Sequence, residues 1–256
     1  MPIPRKNSEH SRRAILEAAA AEFSSQGIAG ARIDTIAAAA RVNKALLYYY
    51  FQDKETLYGA ALQHTFGGLL EELVRILDTD RPVGYKILAY ALTHFNYVAA
   101  HQHYRRMVQH EMMRAGTGQS RHFENLVETF FRPLLRRLSE VLESGISTGE
   151  FRRMDPLQFV QSMIATVVFY FTSVPVVRAV GGFDPLSREA LDRRRKAMLE
   201  FLAGALFVNH AHAERVVQEV LENISDGETS SKLEAPKPHD RSSRRSTEMR
   251  KRKEVR

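Results

Sequence analysis

The stretch that most restricts this chain runs from Ile33 to Lys54 and reads IDTIAAAARVNKALLYYYFQDK. Thr35 to Ala40 is mostly alanine, the residue that costs least in a helix, so a short helix is predicted there. Arg41-Val42-Asn43 interrupts it. Asn43 suits an N-cap, because its side-chain oxygen can accept from an orphan amide of the next turn. Lys44 to Tyr50 then forms a second helix of about two turns. Two short helices joined by a tight turn make a helix-turn-helix, whose second helix enters the major groove of DNA. The apolar spacing agrees: Ile36, Ala37, Ala40, Val42, Leu47 and Phe51 can face one small core. Lys44, Ala45, Leu46, Tyr48 and Tyr49 are left outward. Three consecutive tyrosines on so short a helix are hard to bury together, and a tyrosine at a DNA surface packs on sugar and donates to phosphate. Tyr50 is divided between core and contact.

This segment resembles the TetR family of bacterial transcriptional regulators. The resemblance rests on Ile36-Ala37, Val42, Lys44, Leu47-Tyr48-Tyr49-Tyr50-Phe51, Lys54-Glu55 and Leu57. The chain departs from the family at Arg41, commonly glycine, at Asn43, commonly serine, and at Ala31-Arg32, where serine or threonine usually opens the second helix. The resemblance implies that Lys54 and Tyr48 hold phosphates. It also implies that Lys44, Ala45, Leu46 and Tyr49 lie nearest base edges, where alanine and leucine can touch thymine methyls. Arg32 and Arg41 flank that surface as phosphate candidates, and Asn43 and Tyr50 are counted with the DNA-binding residues.

The remainder reads as all-α, with no period-two pattern anywhere. Residues 1–10 are expected to be disordered, with Arg5 and Lys6 as candidate phosphate contacts. The DNA-binding domain is expected over residues 11–54, with Ser11 capping a first helix that Gly27 ends. Residues 55–224 form a larger helical ligand-binding and dimerisation domain. Asp53 caps a helix to about Leu77, and Pro82 opens another that reaches His101. Further helices are predicted over Tyr104 to Arg114 and over Ser120 to Ser144, kinked at Pro133. Asp155 caps one running to Val177, and the last runs from Ser187 to Ala211. Residues 225–256 have almost no large apolar side chains and read as a disordered basic tail.

Composition narrows the functions. Without cysteine, disulfides, thiolate catalysis and cysteine-based zinc sites are excluded. The start MPIPRKNSEH lacks the apolar core of a secretory signal, which favours the cytoplasm. The net charge of +7 is uneven: 8 basic against 5 acidic residues over 1–54, 19 against 19 over 55–224, and 10 against 6 over 225–256. Basic ends beside a helix-turn-helix suit a polyanion. The uncharged run from Pro156 to Val177 contains Gln158, Gln161, Ser162, Thr166, Thr172, Ser173 and Pro175, which argues for a protein-buried helix and against a membrane span.

No nucleophile elbow, phosphate-cradling loop or HExxH spacing appears, so no catalytic residue, cofactor or metal is assigned. His101 and His103, like His210 and His212, are spaced i, i+2 and point to different faces of a helix. Tyr90, His94, Tyr97, Met107, His110, Met163 and Phe169 are the candidates for a small-molecule pocket, since methionine and aromatic rings suit an adaptable apolar site. The reading is a ligand-released repressor that binds a near-palindromic operator on double-stranded DNA. Its homodimer would form through the helices near 155–180 and 187–211. The alternative is a helical small-molecule-binding or enzymatic module with a vestigial helix-turn-helix.

Overall fold

A first helix, α1 (Arg5–Gly30), carries the head of the molecule in a computed structural model that describes residues 5–224. Residues 1–4 and the basic tail expected over 225–256 lie outside the described residues. The helix starts at Arg5, so the segment expected to be disordered to residue 10 is partly helical, and Ser11 sits inside the helix instead of capping it. A tether from the helix-turn-helix accounts for part of this: the Tyr50 hydroxyl donates to Ser8 O at 3.1 Å and lies 2.9 Å from Ser8 Oγ. At the other end Gly27, with φ +64 and ψ 174, breaks the helical path where the sequence places the stop. That region is open to glycine and closed to residues with a Cβ.

Ile15, Ala19 and Phe23 of α1 are fully buried, Phe23 edge-on to the Tyr58 ring at 5.1 Å, and α1 packs along α2 (Ile33–Ala39), which with α3 (Lys44–Tyr50) is too short to hold a core of its own. The long helix α4 (Lys54–Leu77) leaves this head and continues into the body. Asp53 caps it, accepting from Thr56 N at 2.7 Å. The body adds α5 (Val83–Ala100), α6 (Gln102–Gly116), α7 (Phe123–Leu126), α8 (Arg132–Ser147), α9 (Pro156–Thr172), α10 (Val174–Gly181), α11 (Arg188–Leu206) and α12 (His210–Asn223). Helix α5 is its axis: Ile87 to Asn96 is buried without a break, with α4, α8, α9, α11 and α12 around it.

Three predicted helices are divided. A π-turn, Val127–Phe131, joins α7 to α8 immediately before Pro133. The proline has no amide for Thr129 O and its ring crowds that carbonyl, so the chain widens by one residue there. The helix predicted to reach Val177 ends at Thr172, and α10 leaves it at 62° with Pro175 in its first turn. No single described helix is long and apolar enough to cross a membrane, although α9 and α10 together would qualify by composition. The helix predicted to reach Ala211 ends at Leu206, and Asn209 starts α12 by accepting from His212 N at 2.9 Å. The gap holds one antiparallel bridge, Phe151 to Phe207, and no strand forms among the described residues.

Candidate nucleic-acid interface

The geometry of α3 follows from its sequence. Asn43 Oδ1 accepts from Leu46 N at 2.8 Å and fixes the helix start. Leu47 is fully buried and Phe51 nearly so, with Arg12 5.4 Å above the Phe51 ring. This anchoring turns the opposite side outward: Tyr48 is 46% and Tyr49 77% exposed, and Lys44 and Ala45 are exposed with them. Leu46 is half-buried beside them. Lys44 Nζ lies 2.5 Å from Asp34 Oδ1 in a solvent-exposed pair, the kind that contributes little to stability and exchanges readily for another anion.

Two members of the expected contact set serve the head itself. Tyr50 is half-buried with its hydroxyl on Ser8, and its ring meets Tyr49 edge-on at 5.4 Å. Lys54 is half-buried and donates to Ala29 O and Ala31 O, each at 3.3 Å, tying the start of α4 to the loop before α2. Arg32 is exposed at the N-cap of α2, which has no side-chain cap of its own. Glu22 of α1 takes its amide instead, Arg32 N to Glu22 Oε1 at 3.0 Å.

Arg41 is exposed and carries φ +56, the one positive φ at a non-glycine among the described residues. An L-residue in this left-handed conformation costs about 1 kcal/mol. Arg41→Gly is therefore expected to stabilise the fold by about 0.5–1 kcal/mol in urea titration while reducing the salt slope of DNA binding by about 0.9 for each subunit bound. An unchanged slope would remove Arg41 from the phosphate contacts.

The expected pocket residues divide. Tyr90, His94, Met107 and Met163 are buried, and Tyr97 is half-buried with its hydroxyl 3.3 Å from Thr65 O. His94 stands with both ring nitrogens sealed from solvent and unpartnered, and burial lowers its pKa to about 4. Phe169 does not join them. It is 69% exposed, on the outward side of α9. His110 is half-buried on α6 at the kink of α1, its Nδ1 within 3.9 Å of where a Cβ on Gly27 would stand. The paired histidines go to separate partners: His101 stacks on Tyr97 at 3.9 Å, His103 Nδ1 lies 2.8 Å from Ser24 Oγ, and His212 Nε2 lies 3.2 Å from Glu150 Oε1. Among the described residues no cluster of three or more His, Asp or Glu could hold a metal ion.

Known proteins match both parts of this chain. "Bacterial regulatory proteins, tetR family" matches residues 15–61, and "Tetracyclin repressor-like, C-terminal domain" matches residues 87–202. The HTH-type transcriptional repressor SCO4008 of Streptomyces coelicolor is 32% identical over 197 residues, which is 75% of this chain and 95% of that protein. The chain belongs to the TetR family. It is a transcriptional regulator with an all-α fold. The HTH-type transcriptional repressor NicS of Pseudomonas putida is 26% identical over 170 residues, 66% of this chain and 78% of that one. Among solved structures, the ketosteroid transcriptional regulator KstR2 of Mycobacterium tuberculosis superposes with a TM-score of 0.60 at 21% identity, covering 77% of this chain and 95% of that one. AibR, in complex with isovaleryl coenzyme A and operator DNA, superposes at 0.58 with 23% identity, covering 73% and 95%.

Between the head and the body of this TetR protein lies a polar cluster that sequence reasoning missed. Glu111 of α6 is fully buried, and the Tyr58 hydroxyl of α4 donates to its Oε2 at 2.9 Å. The Ser120 hydroxyl, from the loop after α6, donates to Oε1. Burial, and then the Glu111 carboxylate, push the Tyr58 phenol far above its usual range. Arg114 lies 5.1 Å over the Tyr58 ring and 3.5 Å from Glu55, whose carboxylate is also 3.3 Å from His122 Nε2. The first turns of α4 are thus bolted to the end of α6. A signal was available: Tyr104, Met107 and Glu111 are spaced i, i+3, i+7 and share one inner face.

Proposed function

We propose that the chain acts in the cytoplasm as a homodimeric repressor, reading a near-palindromic operator with one α3 from each subunit. The observation that carries this is the exposed face of Lys44, Tyr48 and Tyr49 on a helix held rigidly by its buried Leu47 and its Asn43 cap. Dimerisation through α9 and α11 is supported by two antiparallel neighbours whose outer sides remain apolar. Leu157 and Phe169 lie on one, and Phe201 lies on the other with Val208 just beyond it, all at least half exposed. Arg194 donates to Thr166 O at 2.9 Å, and Arg152 N donates to Leu206 O at 2.9 Å, so the pair is held at two points.

A small molecule in the body would favour a subunit arrangement with the wrong head spacing and so release DNA. Its signal would pass through the α4–α6 cluster, because α4 is both a wall of the body and the foundation of the head. Lys44, Ala45, Leu46, Tyr48 and Tyr49 are assigned to the groove, with Arg32 and Arg41 on flanking phosphates. The chain performs no catalysis in this reading.

The test is a gel shift with an operator selected from genomic fragments. Lys44→Ala combined with Tyr48→Ala removes two contacts per subunit and is expected to weaken binding at least about 100-fold, with unfolding unchanged. Undiminished affinity would place the reading surface elsewhere.

A further inference from the structure

Helix α5 brings an unusual set of polar atoms into the middle of the body. His94 is 5% exposed, and neither Nδ1 nor Nε2 has a partner. The Tyr90 ring lies 6.2 Å away on the same side of the helix. Tyr97, one turn further, meets the Tyr104 ring edge-on at 5.4 Å, and Tyr104 meets Phe66 at 5.4 Å. Tyr90 and Tyr104 are buried in the same core as His94. Tyr90 and Tyr104 form no hydrogen bond with their hydroxyls among the described residues, whereas Tyr97 donates to Thr65 O.

An imidazole with both nitrogens unpaired is costly to keep in a core, and a leucine of similar size would fit without that penalty. Burial lowers the His94 pKa to about 4, so the imidazole that faces this space is neutral, and burial pushes the Tyr90 and Tyr104 phenols up, so both keep their protons. The fully buried carboxylate of Glu111 is already taken by Tyr58 and Ser120. An anion brought here would lose its water, and the guanidinium that lies against α5, Arg195, is already held by Asn96 and Asp192; an ammonium would find ring faces, while the buried Glu111 carboxylate is already taken. A neutral imidazole donates from one nitrogen and accepts at the other, so a hydroxyl satisfies it in either tautomer.

We propose that the effector is an uncharged molecule with an apolar body and one hydroxyl or carbonyl end, held by His94 together with the Tyr90 and Tyr104 hydroxyls. This rests on the reading that the helical body takes an effector, and it adds the chemical class. The full chain is titrated with three probes that share a body and differ at the end: 4-propylphenol, 4-propylbenzoate and 4-propylbenzylammonium. Binding is read from thermal midpoints, and gel shifts with the selected operator are run on the same preparations.

The phenol is expected to bind at least about 10-fold more tightly than either ion, one tenfold step being the cost of about one lost hydrogen bond. His94→Leu should lose that binding while unfolding no earlier than the parent without probe, and His94→Gln, which keeps a donor and an acceptor, should retain part of it. The proposal is overturned if benzoate or the ammonium binds as well as the phenol, if His94→Leu leaves phenol binding unchanged, or if no probe binds. Where operator binding is intact, those results remove the ligand class alone. Failure of the parent chain to bind operator removes the repressor reading and leaves the probe result standing.

Discussion

Phe169→Asp combined with Phe201→Asp is expected to halve the mass of the protein in solution, from twice the 29.2 kDa chain to a single copy. Both rings stand well out of the protomer, at 69% and 64% exposure, on the outer sides of α9 and α11. In a two-fold interface each substitution appears twice, so four carboxylates would be enclosed in an apolar contact. Enclosing an unpaired charge costs several kcal/mol, more than a standard interface has to spare once it has met the cost of association. The substitutions should leave the protomer fold unaffected, because neither side chain is part of its core and both point to water in the separated chain. Operator binding should fall with dimerisation. One head holding one half-site loses the linkage to the second, which is worth about 100-fold to 10,000-fold in affinity. The measurement is light scattering across micromolar concentrations, followed by gel shift. A protein that keeps its dimeric mass would put the interface on another face. Monomers with full operator affinity would remove the need for two heads.

What the sequence revealed divides along the range of the forces involved. The helix-turn-helix was readable because its determinants are local. Asn43 caps the helix whose own Leu46 amide it accepts, and Leu47 and Phe51 are one turn apart on the side that turns inward. The stop at Gly27 was legible for the same reason, since only glycine takes that φ and ψ without strain. The end of α11 was not. Its last carbonyls are taken by a distant residue: Arg152 N reaches Leu206 O, and the Arg152 guanidinium reaches Phe207 O at 2.9 Å. Nothing near Phe207 announces that partner. Phe169 is a pocket candidate by its aromatic ring, but α9 is apolar on nearly every face, and periodicity cannot rank the faces of such a helix. The opposite error hid Glu111. A carboxylate reads as a surface group, yet here Tyr58 and Ser120 come from outside its helix to satisfy it.

Gly145→Ala is expected to destabilise the body by about 2–3 kcal/mol, because the added methyl group overpacks a site with no direction in which to yield. A Cβ on Gly145 would overlap Cδ2 and Cε2 of Phe151, whose amide donates to Gly145 O at 3.0 Å. The Phe151 ring is 2% exposed and stands edge-on to Phe207 at 5.4 Å. Phe207 is blocked in turn, since a Cβ on Gly84 would come within 2.5 Å of its Cζ. The rings therefore fill a closed space between α5, α8 and the α11–α12 link, and two glycines make room for them. Moving Phe151 aside would also strain the Phe151–Phe207 bridge and the Arg152 bonds that end α11. For a chain of this size the change corresponds to a fall of about 5–10 °C in thermal midpoint. Gly149→Ala is the control. It sits in the neighbouring turn with φ +75 and open space around it, so it carries backbone strain of about 1 kcal/mol and no collision. Gly145→Ala costing no more than Gly149→Ala would mean that this junction is loose enough to repack. The division between α11 and α12 would then owe nothing to the two rings.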